Sequence, residues 1–393
     1  MPADHEAPFR SQVGPILYLV LIFLLNFTGR IVLAPLMPAI EEDLGLTHSQ
    51  SGSLFLLITV GYVLTLIGSG FVSARLNHRR TIVLSASTLG LALLFVSRCQ
   101  SLWALRLGLL GLGMAAGLYL PSGIAMLTNL VSSRHWGKAM AIHETAPNLG
   151  FLLAPVLAET FLGFLSWRGG LILLALSSIL FALIFLKFGQ GGEFRGQRLN
   201  LRASRSCLHL PSFWILAALF GLGISANIGL FSMLPLYLTA EKGMDRSWAN
   251  SLIALSRVAS LGTVFLAGWS TDRIGPRTTM TYVLFLNGFL IILLSALPGI
   301  WITIPFFLHP MLAVCFFPAG FAALSSITTP ELRSIVVSFT VPLSFLFGAG
   351  IVPLGIGMSG DAGSFAAGIA VLGMLILLGS LLSRFLKFAP ASQ

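Results

Sequence analysis

Long apolar runs alternate with short polar breaks along almost the whole chain. Most runs reach 18 residues or more, about the length at which an α-helix spans a bilayer. Short segments of alternating polarity, which mark a membrane β-barrel, do not occur. The pattern predicts an all-α, polytopic membrane protein with twelve transmembrane helices. The predicted spans are 14–40, 48–73, 79–98, 102–130, 137–163, 168–187, 213–240, 248–270, 278–297, 301–327, 335–358 and 364–387.

The longest internal polar stretch, residues 188–211, divides the predicted spans into two sets of six. It is rich in arginine and glycine, which is typical of a surface linker. The predicted parts are a cytoplasmic tail (1–13), an N-terminal six-helix bundle (14–187), a cytoplasmic linker (188–211) and a C-terminal six-helix bundle (212–388).

The composition agrees with a membrane protein, because 56% of residues are hydrophobic and 9% are charged, against about a quarter charged in soluble domains. The net charge of +10 does not indicate a nucleic-acid partner, since the basic residues cluster in short loops. With the N-terminus inside, 16 lysines and arginines fall on the inner side and 4 on the outer side. This asymmetry places both termini in the cytoplasm of a multi-pass inner (plasma) membrane protein.

A charged hinge occurs twice, at residues 70–80 and 268–277. The matched positions, all 198 residues apart, are Gly70 and Gly268, Arg75 and Arg273, Asn77 and Gly275, Arg79 and Arg277. A repeat at half the chain length predicts two similar halves. Two parallel six-helix repeats with a site at their interface are a known plan of transporters.

The second hinge resembles the signature Gly-x-x-x-Asp-Arg-x-Gly-x-Arg of the major facilitator superfamily. The first copy departs from it, because Ala74 replaces the acid and Asn77 replaces the glycine. The glycine ladder after Arg106 and the stretch from Gly150 to Trp167-Arg168 are similar to two further patterns of that family. The resemblance implies a conformational gate, whose residues are Arg75, Arg79, Arg106, Asp272, Arg273, Gly275 and Arg277.

Away from the terminal turns, three arginines fall inside predicted spans: Arg30, Arg106 and Arg257. An arginine at the centre of a membrane helix costs about 2.5–3.5 kcal/mol on insertion scales, so an uncompensated one indicates function. Arg30 and Arg257 resemble the substrate arginines of anion-carrying branches of the family. A guanidinium binds two oxygens of an oxyanion at once. We expect one arginine from each half to meet at a single chamber; structural pairing with a neighbouring span is the alternative.

His143 and Glu144 form the most informative acid–base pair of the predicted spans. Burial makes a carboxylate protonatable near neutral pH, and histidine titrates there already. One of the two is therefore predicted to carry a coupled proton, although sodium coupling and a plain helix–helix hydrogen bond stay open. Adjacent helical residues point about 100° apart, so one of them should face the cavity.

Further polar residues at comparable depth are predicted to complete the substrate site, with a packing role as the alternative for each. They are Asn26, Tyr119, Asn148 and His309.

The sequence thus predicts a secondary active transporter that moves a small, carboxylate-type organic anion by alternating access, coupled to protons. The alternative is a proton-antiport exporter of drugs or amphipathic metabolites. A carrier fold that works as a sensor also stays open. Enzymatic motifs, metal-ligand spacings and a phosphate-binding glycine loop do not occur, so we expect no enzyme, cofactor or metal. We expect a monomer.

Overall fold

The computed structural model of the chain describes residues 9–196, 209–327 and 330–386, and the regular elements of these ranges are all helices. Eleven helices of the described ranges are long and apolar enough to cross a membrane, and a helix bent by 45° brings the number to twelve. The prediction of an all-α, polytopic membrane protein is confirmed. Residues 1–8 of the predicted tail, 197–208 of the linker and 387–388 lie outside the described residues.

The observed spans begin and end within a few residues of the predicted ones. They are α1 (Phe9–Leu44), α2 (His48–Leu76), α3 (His78–Ser97), α4 (Leu102–Leu130), α5 (Trp136–Phe164), α6 (Trp167–Phe188), α7 (Pro211–Glu241), α8 (Arg246–Ile274), α9 (Pro276–Ala296), α10 (Gly299–Ser326), α11 (Val336–Asp361) and α12 (Phe365–Phe385). The bent helix is α8, whose segments are Arg246–Thr263 and Gly268–Ile274.

Several spans are interrupted inside the membrane region. α1 is broken at Val32, α4 at Leu118 and α5 at Glu144, each between two helical segments. Wider π-helical turns occur at Ser225–Gly229, Tyr237–Glu241 and Leu346–Ile351. Such turns free backbone carbonyls from the regular hydrogen-bond ladder and are frequent at functional sites.

Backbone contacts group the chain into two compact units. Unit 1 contains the described residues up to Leu36 and from Val60 into the linker. Unit 2 contains Met37–Thr59 and the described residues after the linker. The end of α1 and the start of α2 thus group with the C-terminal helices. The predicted bundle boundaries of 14–187 and 212–388 stay a prediction.

The same close helix contact is built in each unit. A Cβ atom on Gly90 of α3 would lie 2.7 Å from the carbonyl oxygen of Ala175 in α6. A Cβ atom on Gly288 of α9 would lie 2.8 Å from the carbonyl oxygen of Gly373 in α12. Gly90 and Gly288 are 198 residues apart, as are Ala175 and Gly373. Small residues let helix backbones approach closely in lipid, and their repetition agrees with the repeat of the hinge.

Both hinges turn through a left-handed residue at matched positions. Asn77 has a φ of 75° and Gly275 a φ of 84°. Asparagine tolerates this region because its short side chain bonds locally, and Asn77 Oδ1 accepts a 2.9 Å hydrogen bond from the backbone N–H of Arg80. In the second hinge Pro276 begins α9, a position where its fixed φ suits a helix. The asparagine of the first hinge therefore preserves the turn.

Candidate functional site

Arg30 lies at the end of the first segment of α1, beside two aromatic rings. Its guanidinium carbon is 4.3 Å from the ring centre of Tyr62 in α2 and 5.5 Å from that of Phe27. The Tyr62 hydroxyl is also within electrostatic range of the guanidinium. Among the described residues no carboxylate forms an ion pair with Arg30, and its Nε lacks a hydrogen-bond partner. The positive charge is held by aromatic faces and is not neutralised by an acid.

Asn26, one turn before Arg30, is buried between helices. Its amide donates to the Ser85 hydroxyl at 3.4 Å and to the Ala116 carbonyl at 3.3 Å. These bonds join α1 to α3 and α4. The structure thus gives Asn26 a packing contact, and its predicted role in substrate binding stays a prediction.

The break in α5 separates the two members of the acid–base pair. The side chain of His143 is fully buried, whereas that of Glu144 is 50% exposed. His143 Nδ1 lies 3.2 Å from Glu144 Oε1. The two side chains therefore differ in exposure, as expected for adjacent helical residues. One turn further on, the Asn148 amide donates to the backbone carbonyl of Glu144 at 2.9 Å.

Tyr119 begins the second segment of α4 and is fully buried against the pair. Its hydroxyl lies 3.1 Å from His143 Nε2 and 2.8 Å from the carbonyl oxygen of Leu19 in α1. Phe23 stacks on both rings, with its ring centre 4.6 Å from that of His143 and 5.1 Å from that of Tyr119. These contacts fix the orientation of the imidazole.

Tyr62 connects the two parts of this region, because its hydroxyl is within electrostatic range of both Arg30 and Glu144. We call Arg30, Tyr62, Tyr119, His143 and Glu144 the unit 1 polar group. The sequence identified its arginine and its acid–base pair. It missed Tyr62 and the stacking of Phe23, for which the only sequence signal was an aromatic residue inside an apolar span.

In unit 2, Arg257 of α8 is 2% exposed and contacts a π-helical turn of α7. Its Nη1 donates to Asn227 Oδ1 at 2.7 Å, and its Nη2 donates to the backbone carbonyl of Asn227 at 3.3 Å. The guanidinium carbon is 4.9 Å from the ring centre of Phe231. Asn227 and Phe231 are uncharged, and their contacts orient the guanidinium.

His309 of α10 is buried in the same unit, within electrostatic range of Arg257. The Asn287 amide donates to the His309 carbonyl at 3.1 Å, and Asn287 Oδ1 lies 3.4 Å from His309 Nδ1. His309 Nε2 has no hydrogen-bond partner in the described part of the chain. The predicted substrate roles of His309 and Arg257, and their meeting with Arg30 at one chamber, stay predictions.

The first hinge is joined to the start of the linker. Arg79 donates to the Glu193 carboxylate at 3.2 Å and to the Leu186 carbonyl at 2.8 Å. The backbone N–H of Arg79 donates to the backbone carbonyl oxygen of Gly192 at 2.8 Å. A linker residue thus supplies the carboxylate that the first hinge lacks at Ala74.

The other predicted gate residues lie at helix ends. Arg75 is in the last turn of α2. Asp272 and Arg273 are in the last turn of α8, where Arg273 is 5.1 Å from the ring centre of Trp269. Arg277 donates to the Leu386 carbonyl after α12, and Arg106 is 4.9 Å from the ring centre of Trp103. Their role as a gate stays a prediction.

No group of three histidine, cysteine, aspartate or glutamate side chains in the described ranges could hold a metal ion. Cys99 and Cys315, which belong to those ranges, are buried free thiols.

The family model of the Major Facilitator Superfamily matches residues 19–353. The chain therefore belongs to the major facilitator superfamily and is a multi-pass membrane protein. A solved bacterial homolog of the human lysosomal transporter Spinster, in an inward-facing and occupied conformation, superposes with a TM-score of 0.77 at 18% identity. That alignment covers 97% of this chain and 96% of the other, and it shows the shared fold.

The curated relatives indicate a transporter. The probable 4-methylmuconolactone transporter of Cupriavidus pinatubonensis is 27% identical over 386 residues, covering 87% of this chain and 85% of that protein. The D-galactonate transporter of Escherichia coli is 22% identical over 430 residues, covering 97% and 96%. The membrane sensor protein UhpC of Escherichia coli is 24% identical over 309 residues, covering 72% and 69%.

Proposed function

We propose that the protein is a secondary active transporter of a small organic anion in the bacterial inner membrane, coupled to protons. The observation that carries the proposal is Arg30, a cation held on aromatic faces with no acid paired to it in the described residues. Its Nε–H, which has no hydrogen-bond partner in the described residues, can donate to a carboxylate or another small oxyanion. The relatives named for D-galactonate and 4-methylmuconolactone support this substrate class.

Proton coupling is assigned to His143 and Glu144. The pair combines a buried imidazole with a half-exposed carboxylate 3.2 Å away, so a proton that reaches the acid can be shared with the base. Tyr62 lies in the electrostatic range of both Arg30 and Glu144. Tyr62 thus adjoins both the anion site and the proton site of one unit. Coupled binding requires that occupancy of one site changes the affinity of the other.

The test uses purified full-length protein in proteoliposomes, with the membrane voltage clamped. Uptake of radiolabelled D-galactonate, gallate and glucose 6-phosphate is measured under an imposed pH gradient, with neutral glucose as the control solute. We expect accumulation of at least one anion, collapse of that accumulation with a protonophore, and no response to a sodium gradient. Accumulation driven by sodium alone would reassign the coupling ion.

Two substitutions separate charge from structure at Arg30. Arg30→Ala should abolish anion uptake, whereas Arg30→Lys should keep part of it, because a lysine retains the charge but not the two-pronged geometry. Uptake of every anion by Arg30→Ala at the unsubstituted rate would contradict the proposal.

A sensor is the second candidate, because UhpC is among the relatives. A sensor would bind one of the anions without moving it. Anion-dependent thermal stabilisation that Arg30→Ala removes, together with no uptake of the same anion, would favour the sensor.

A further inference from the structure

Tyr119 has one hydroxyl proton and two acceptors within reach. The hydroxyl oxygen lies 2.8 Å from the Leu19 carbonyl oxygen and 3.1 Å from His143 Nε2. A phenol donates one hydrogen bond at a time and can accept another. If the hydroxyl donates to Leu19, Nε2 must itself donate to the hydroxyl oxygen. If the hydroxyl donates to Nε2, the Leu19 carbonyl loses this donor.

We propose that the Tyr119 hydroxyl is a two-position hydrogen-bond switch that responds to the protonation of the His143–Glu144 pair. It donates to His143 Nε2 when the pair lacks its proton, and to the Leu19 carbonyl when the pair holds it. The proposal rests on the proposed proton coupling and adds a positioning residue, Tyr119, to it.

The number of protons on the His143–Glu144 pair determines which group accepts the Tyr119 hydroxyl proton. In the protonated pair both ring nitrogens donate, Nδ1–H to Glu144 Oε1 and Nε2–H to the Tyr119 oxygen, so the hydroxyl proton is free for Leu19. When one proton leaves, the remaining ring proton stays on Nδ1, because a lone pair facing a carboxylate 3.2 Å away is repulsive. Nε2 then becomes an acceptor and takes the hydroxyl proton. The pair changes by one proton and one unit of charge.

The rings are arranged for such an exchange. The planes of Tyr119 and His143 are parallel within 3°, and the hydroxyl oxygen lies 3.1 Å from Nε2. Phe23 lies parallel to His143 within 13° and to Tyr119 within 15°. An imidazolium stacked on an aromatic face gains cation–π attraction. The orientation of both rings is thus kept while the hydrogen bond changes partner.

The switch acts on the helix that carries the substrate arginine. Leu19 and Arg30 are eleven residues apart on α1, about three helical turns, so they share a face. Charged or titratable groups reach the pair from three other sites: Tyr119 of α4, Tyr62 of α2 and, through Tyr62, Arg30 of α1. The hydrogen bond that responds to the proton and the arginine proposed to bind the anion therefore both involve α1.

The transport test compares Tyr119→Phe with a matched control, Tyr18→Phe. Tyr18 is also in unit 1, stacks on Phe185, and donates its hydroxyl to the Phe181 carbonyl at 3.3 Å. With radiolabelled D-galactonate as the probe, Tyr18→Phe should keep counterflow exchange, which moves no net protons, and the gradient-driven uptake of each variant is normalised to its own counterflow rate. The pH profile of gradient-driven uptake should shift to lower pH by about half to one unit in Tyr119→Phe, because the protonated pair loses a charge-assisted acceptor. Tyr18→Phe should keep the profile.

A second measurement does not depend on the substrate. Infrared difference spectra between acidic and alkaline pH are recorded on purified protein with isotope-labelled tyrosine rings. A phenol C–O band should change with pH in the unsubstituted protein and in Tyr18→Phe, and should be absent in Tyr119→Phe and Glu144→Gln.

The two measurements separate the two proposals. A pH-dependent band that persists in Tyr119→Phe, or no such band in the unsubstituted protein, overturns the switch. Driven D-galactonate uptake without the band leaves the transport proposal standing and removes the switch. The band without uptake of any anion supports the switch and removes anion transport.

Discussion

The guanidinium Nη1 of Arg257 donates a 2.7 Å hydrogen bond to Oδ1 of Asn227, thirty residues earlier in the chain. The acceptor is a neutral amide on a π-helical turn, so this hydrogen bond orients the arginine without adding a negative charge. A carboxylate at the same position would instead form a short ion pair with the guanidinium.

Asn227→Asp is therefore expected to weaken anion binding while the fold is kept. If Arg257 binds the substrate, the KM of anion uptake should rise about tenfold or more, a change of about 1.4 kcal/mol or more. Asn227→Ala, which removes the hydrogen bond without adding charge, should lower the melting temperature and change KM less. Equal KM values for Asn227→Asp and the unsubstituted protein would argue against substrate binding by Arg257.

The spans and hinges could be predicted from sequence because they depend on local order. Eighteen apolar residues in a row require a membrane helix, and Asn77 or Gly275 can take the turn that a bulky residue resists. The partners of the charged residues could not be predicted in this way. Tyr62 meets Arg30 from another helix, and apolar runs do not determine which face of one helix packs on which face of the next.

The interruptions inside spans were predictable only in part. The break at Glu144 lies three residues before Pro147, which lacks the N–H that would bond the His143 carbonyl, so proline is its sequence signal. The π-helical turn at Ser225–Gly229 contains no proline, and it depends on tertiary contacts that offset the lost regular hydrogen bonds. The carboxylate that pairs with Arg79 of the first hinge could not be predicted either, because Glu193 is more than a hundred residues away.

We expect the backbone contact of Gly192 with Arg79 to hold the linker to the first hinge more strongly than the Glu193 side chain does. The Glu193 side chain is 77% exposed, and an exposed ion pair contributes about 1 kcal/mol or less. Glu193→Gln should therefore leave the melting temperature almost unchanged. At Gly192, φ is 76°, and an added Cβ would lie 2.9 Å from Met126 Sδ and 3.1 Å from the backbone nitrogen of Arg79.

Gly192→Ala should accordingly release the linker, measured as faster limited proteolysis near residue 192. Gly243→Ala is the matched control, because Gly243 also has a positive φ, 64°, but an added Cβ there meets nothing within 4 Å. Backbone strain alone costs about 1–2 kcal/mol, so both variants lose stability but only Gly192→Ala exposes the linker. Equal rates of proteolysis near residue 192 in both variants would contradict this prediction.

The contact between α9 and α12 should not tolerate a methyl group at Gly288. An added Cβ would lie 2.5 Å from the backbone nitrogen of Leu377 and 2.8 Å from the Gly373 oxygen, and backbone atoms cannot move aside as side chains do. Gly288→Ala should reduce the yield of monodisperse protein in size-exclusion chromatography. Gly355→Ala, where an added Cβ meets nothing within 4 Å, should give the yield of the unsubstituted protein.

The distribution of basic residues predicts that the linker faces the cytoplasm and that Lys242 faces outwards. In a cysteine-free background, Lys242→Cys should react with a membrane-impermeant maleimide in spheroplasts, where the outer surface is accessible. Arg195→Cys should react only after the membrane is opened. The reverse pattern would place both termini outside and contradict the positive-inside assignment.

The start of α2 is capped by Asp361, a residue of α11. Asp361 Oδ1 accepts from the backbone N–H of His48 at 2.8 Å, and Oδ2 accepts from that of Ser49 at 3.0 Å. A carboxylate at a helix N-terminus satisfies unpaired N–H groups and complements the helix dipole, which contributes about 1–2 kcal/mol. Asp361→Ala should therefore lower thermal stability and also free the first turn of α2 from α11.

Asp245→Ala is the matched control, because Asp245 caps its own helix through Trp248 N–H at 3.0 Å. Both alanine variants should lose similar stability. Hydrogen–deuterium exchange should rise at residues 46–52 in Asp361→Ala and stay unchanged there in Asp245→Ala, since only Asp361 joins two distant segments. Unchanged exchange at residues 46–52 in Asp361→Ala would show that the apolar contacts of α2 hold this turn without the carboxylate.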